Sequence, residues 1–141
     1  ERGSAMRHLA LLLVCGLALS GQESSFQALE IFVDSGDAPL AAWQIELTIA
    51  DAVIVGVEGG EPECWREPPH YDPEALTGGR IILAAFTTDT APAGRLRVAR
   101  LHLEAAGDAA ERAVIASVVA ATEGGERIPL TVECLPFGEK R

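Results

Sequence analysis

The stretch 61–79, EPECWREPPHYDPEALTGG, gathers more side chains capable of chemistry than any other part of this chain. Pro62, Pro68, Pro69 and Pro73 remove backbone donors, so it reads as a long irregular loop, and loops of this length in compact domains are usually functional or pinned by their own side chains. Trp65 and Tyr71 each join apolar area to a polar tip, which suits stacking on a sugar ring or anchoring a partner. The structural alternative is that Trp65 folds back over the open end of the domain. His70 with Glu67 and Asp72 can be drawn as a metal site, but the spacing is loose, and no metal is expected. Asp34 and Asp37 could offer oxygens to Ca2+, yet ordinary turn chemistry explains them better. Cys64 and Cys134 could form a disulfide, closing about 70 residues for ~4 kcal/mol in the chain-entropy model. No nucleophile–base arrangement is visible. With 21 acidic residues, carboxylate pairs arise by chance and do not point to a hydrolase. His102, between Leu101 and Leu103, should face solvent from a strand. The reading is therefore non-enzymatic.

The chain has 141 residues, a formal charge of −10 and a pI near 4.6. That balance argues against a nucleic-acid binder, whose affinity needs clustered Lys and Arg. Arg95, Arg97 and Arg100 are the one basic cluster and read as a solvated strand face. Residues 1–20 read as a secretory signal peptide with its true start at Met6: Arg7 and His8 precede an apolar run, Leu9 to Leu19, and Ala18 and Ser20 supply small residues for cleavage before Gly21. The run is short for a membrane span. A secreted or cell-surface protein is expected, with a linker over 21–26, a domain over 27–135 and a frayed tail over 136–141.

The elements that would position these residues are strands. Trp43, Ile45, Leu47 and Ile49 alternate with Gln44, Glu46 and Thr48, the period of a half-buried strand. After Asp51-Ala52, Val53, Val55 and Val57 resume an apolar face, which reads as a central hairpin over 40–60. Gln27 to Val33 forms an earlier strand. Arg80 to Thr88 is apolar on both faces and should lie centrally in a sheet. In Arg95 to Glu104 the apolar phase shifts, which predicts a β-bulge near Ala99-Arg100. Residues 108–122 divide evenly between an Ala-rich helix, opened by a capping box of Asp108 and Glu111, and a strand carrying Val114, Ile115, Val118 and Val119. Gly124-Gly125 marks a hairpin turn, and Arg127 to Glu133 closes the domain with Ile128, Leu130 and Val132 inward. The sum is an all-β sandwich.

In this order, LEIFVD, LAAWQIELTIADAVIVGVEGG, the YDP-containing loop, GGRIILAAFTTD and GRLRVARLHLEAAG resemble a cohesin domain over roughly Gln27 to Val132. The resemblance implies a jelly-roll β-sandwich of about nine strands, with strand over 112–121. It also implies a non-catalytic module that docks a protein partner, a dockerin in that family, through a sheet face. Thr87, Thr88 and Asp89 match the hydroxyl and acidic groups after the central strand. Ala41, Ala42 and Trp43 stand where the family has a polar pair. Docking of this kind predicts a flat face with exposed residues such as Leu83 or Thr87. Polysaccharide binding through Trp65 and Tyr71 is the alternative.

Overall fold

The structure, a computed structural model, describes residues 23–138. The signal-peptide expectation for residues 1–20 therefore lies outside the described residues. Seven strands follow one another: β1 (Ser24–Asp34), β2 (Ala42–Ile49), β3 (Ala52–Gly59), β4 (Arg80–Phe86), β5 (Arg95–Ala106), β6 (Ala113–Ala121) and β7 (Thr131–Pro136). They form a four-stranded sheet, β3-β5-β1-β7, and a three-stranded sheet, β4-β2-β6, with every pair antiparallel. The protein is all-β, with seven strands among the described residues where about nine were expected. Each chain connection crosses from one sheet to the other, because odd-numbered strands build the first sheet and even-numbered strands the second.

One core lies between the sheets. Leu29, Ile31 and Val33 of β1, Leu101 and Leu103 of β5 and Ile54 of β3 meet Trp43, Ile45, Leu47 and Ile49 of β2 and Ile81 and Leu83 of β4. In β2 the alternation read from the sequence is the alternation found: odd positions buried, Gln44 and Thr48 exposed.

Several expectations change. Residues 40–60 do not form a hairpin. β2 and β3 belong to different sheets, and Asp51, at φ 53°, turns the corner between them in the left-handed region that Asp tolerates better than most residues. The corner also inverts the phase of β3. Ile54 is the core residue, whereas Val53 and Val55 are exposed and a bulge sits at Val55. β4 is an edge strand rather than a central one. Its apolar outer side, with Ile82 and Phe86, is not buried by a neighbouring layer. The linker expected over 21–26 is already strand from Ser24, where the ladder to β5 begins opposite Ala106.

The bulge in β5 falls one residue earlier than predicted, where Ile31 pairs with Ala99 and Phe32 with Arg97. Residues 108–122 combine both readings. Asp108 Oδ1 accepts the Ala110 N–H at 3.1 Å and opens a single 3-10 turn, Ala109–Arg112, after which β6 runs to Ala121. The Gly124-Gly125 turn holds only a short pairing, Ala121 with Arg127, before the chain leaves for the other sheet. β7 therefore starts at Thr131 beside β1 and not at Arg127. The expected tail is partly anchored: the Phe137 N–H donates to the Ala28 carbonyl at 3.0 Å and the Gly138 N–H to Glu30 Oε1 at 3.3 Å.

Candidate docking face

The loop 61–79 is pinned to the sandwich. Trp65 ends a 3-10 turn, Glu63–Trp65, and is only 2 % exposed. Its ring meets Trp43 edge to face at a centroid distance of 6.1 Å. The Glu61 N–H donates to the Arg97 carbonyl at 2.9 Å. At Gly60 a Cβ would run into the Arg97 carbonyl, so no larger residue fits without moving β5. Farther along, the His70 N–H donates to the Ala84 carbonyl at 2.8 Å and the Ala84 N–H returns to the His70 carbonyl at 3.0 Å. This one-residue bridge covers part of the β4 edge.

The residues singled out in the sequence do not converge on one surface. Trp65 is a core residue and presents no stacking face. Leu83 is fully buried, because it lies on the inward phase of β4 opposite Ile45; its neighbours Ile82 and Phe86 take the outward phase. Tyr71 is half-buried and packs against the core. Thr87 is half-exposed, with Thr88 and Asp89 exposed beside it. Thr87 Oγ1 accepts the Asp89 N–H at 3.0 Å, so part of this motif closes its own turn. Asp72 caps the next 3-10 turn by accepting the Glu74 N–H at 2.9 Å, and Asp34 accepts the Gly36 N–H at 2.9 Å. Among the described residues no group of three or more His, Cys, Asp or Glu side chains converges to hold a metal ion.

Cys64 and Cys134 are both free. Cys64 lies against Thr87, and Cys134 stands in β7 opposite Ile31. Burial raises the Cys64 thiol above its ordinary value, with Asp89 and Glu63 adding to the rise, and burial pushes Cys134 up to about 11. The thiolate is the reactive form. At pH 8, native protein should therefore react slowly with a thiol reagent, Cys64 ahead of Cys134. Denaturant should make the two rates equal, as read by mass spectrometry of the labelled peptides.

An open apolar surface lies on the outer face of the three-stranded sheet. Its rows, read across β4, β2 and β6, are Phe86–Ala42–Ala121, Ala84–Gln44–Val119, Ile82–Glu46–Ser117 and Arg80–Thr48–Val114. Phe86 is 69 % exposed, Val114 60 % and Ile82 39 %. Ala42, Ala84 and Ala121 are small enough to leave a groove of about 300 Å³ beside Phe86, flanked by Gln44, Val119 and His70. Glu46 and Arg80 are the only charged residues in these rows, and the Arg80 Nε–H donates to Glu46 Oε1 at 2.9 Å. The face can bury apolar area and offer amide and hydroxyl groups at its centre.

The outer face of the four-stranded sheet has a different character. Glu30 of β1 is buried under two guanidiniums: Arg97 Nε lies 2.9 Å and Arg100 Nη2 3.1 Å from Glu30 Oε2. Arg100 also stacks over Phe137 at 4.4 Å and reaches Glu58 at 3.6 Å, and His102 bonds to the same Glu58 carboxylate. Arg95 stacks over Phe32 at 4.3 Å. The basic cluster is thus a neutralised structural ladder and not a solvated face. Nothing local in the sequence marks Glu30, because its partners are set by strand order and by the β5 bulge.

His102 holds the Glu58 carboxyl below its ordinary value of 4.5, with Arg100 assisting. A carboxyl lowered in the folded state adds stability above its unfolded pKa and loses it as pH falls through the folded one. His102→Gln should therefore flatten part of the acid-side loss of stability below about pH 4.5. The carboxyl-carbon titration of Glu58 by NMR should move up toward its ordinary range in that variant.

No family model, curated protein or solved structure matches the chain.

Proposed function

We propose that this chain is a secreted, non-catalytic binding module with a cohesin-like jelly-roll sandwich, docking a protein partner on the outer face of its three-stranded sheet. The observation that carries the reading is a sheet face that bears the Phe86 ring beside the alanine-floored groove, with Ile82 two rows away and Val114 at the far end. Exposed aromatic and aliphatic side chains on a sheet face, with amides and hydroxyls among them, are what a docking surface requires. The jelly-roll assignment draws support from the strict alternation of strands between sheets. The non-catalytic reading draws support from a packed interior and from acidic side chains, Glu30, Glu46 and Glu58, that are engaged by Arg and His.

Glycan binding through Trp65 loses its principal residue to the core. Purified dockerin modules and a panel of soluble polysaccharides, each titrated by calorimetry, separate the two readings. A dockerin or other protein that binds the wild type and binds Phe86→Asp at least tenfold more weakly supports docking, provided that Val53→Asp on the opposite sheet is unaffected. Saturable polysaccharide binding that is indifferent to Phe86 would overturn it.

A further inference from the structure

The charge on the proposed docking face differs from that of the chain as a whole. The protein carries −10, yet the twelve positions in the four rows hold one acid and one base, already bonded to each other. Along β6, Ala113–Ala121 contains no charged residue at all. Two copies of a strongly acidic chain repel each other through most surfaces, and a neutral patch is where they can approach most closely.

The same patch holds both a protrusion and a recess. Phe86 stands out at one end of β4, and the groove of about 300 Å³ over Ala42, Ala84 and Ala121 lies directly beside it. A surface that carries its own knob and its own hole can pair with a copy of itself about a twofold axis, each copy filling the other. We propose that this protein self-associates in this way, two copies meeting sheet to sheet with the Phe86 ring of each seated in the alanine-floored groove of the other. Burial of the Phe86 rings and of the apolar area at Ile82 and Val114 supplies the attraction.

The area sets the strength. Eight residues at about 3.3 Å by three strands at about 4.8 Å give a footprint of roughly 380 Å² per copy. Stable complexes bury about 800 Å² per partner, so the pair is a weak one. The net repulsion of two acidic bodies is screened by salt. Association must therefore tighten as salt rises, the reverse of a charge-steered complex.

Sedimentation velocity of the full chain from about 10 to 500 µM, at 50 and 500 mM NaCl, tests the proposal. The expected result is a concentration-dependent rise toward the dimer that is severalfold tighter at high salt. Phe86→Asp should weaken it at least tenfold, and Phe26→Asp, an exposed ring on the other sheet, should leave it unchanged. Thermal melts of both variants check that each is folded. A chain that stays monomeric throughout, a dimer indifferent to Phe86→Asp, or a dimer that salt weakens would overturn the proposal. It uses the docking face but does not depend on docking: a monomeric chain leaves partner binding intact, and a partner indifferent to Phe86 leaves the dimer intact.

Discussion

Glu30→Ala should destabilise the protein by about 3–5 kcal/mol, the range expected when one partner of a buried ion pair is removed. The argument rests on burial and on geometry. Arg97 and Arg100 approach one oxygen of the Glu30 carboxylate at 2.9 and 3.1 Å, and the Gly138 N–H reaches the other at 3.3 Å. The side chain of Arg97 is 12 % exposed and that of Arg100 22 %, so neither guanidinium regains full hydration when the carboxylate is gone. Arg97 also donates to the Gly59 carbonyl at 3.0 Å, which ties the ladder to β3 and to the start of the long loop. Glu30→Gln keeps an acceptor but loses the charge, and it should cost less than the alanine variant. Glu46→Ala breaks the exposed pair with Arg80 and should cost no more than about 1 kcal/mol. Urea unfolding of the three variants beside the wild type gives the order directly. A Glu30→Ala protein within about 1 kcal/mol of the wild type would show that the ladder is decorative.

Trp65→Ala should cost about as much, 3–5 kcal/mol, for a different reason. Trp65 is the only large side chain of the 61–79 loop that is fully inside the core, packed edge to face on Trp43. Truncation leaves a cavity at the rim of the sandwich and releases the loop that bridges the β4 edge through His70. Trp65→Phe should be far milder. The Trp65 indole N–H has no hydrogen-bond partner among the described residues, so phenylalanine gives up area but no bond. Urea midpoints for the two variants, with amide hydrogen exchange over 61–79, measure both effects. Exchange should rise across the loop in the alanine variant and little in the phenylalanine variant. The wild-type fluorescence should be blue-shifted and protected from quenchers, and polysaccharides should not change it. A quenchable, sugar-sensitive Trp65 would return the loop to the role of a binding surface.

Much of the secondary structure was legible because alternation is a local signal. β2, the β5 bulge and the all-β class follow from side chains two residues apart along one strand. The exposed groups of the candidate face were less accessible. Leu83 was named where Ile82 and Phe86 are the outward residues, since a strand apolar on both sides does not say which side the core will take. Phe86 in particular reads like any core aromatic.

What the sequence determined by itself is the all-β class, the alternation of β2 and the acidic balance, all of which depend on residue type and short spacing. What only the tertiary structure decided is which strands are neighbours. Strand order placed β2 and β3 in different sheets, put β4 at an edge, and carried Glu30 of β1 between Arg97 and Arg100 of β5 and the end of β7. The physical reason is that sheet pairing and ion-pair burial join residues about 70 positions apart, from 30 to 100, while chain periodicity reports only on the face a residue takes. The same limit separated Trp65 from the surface: its type suits both a sugar platform and a core, and only its packing on Trp43 distinguishes them.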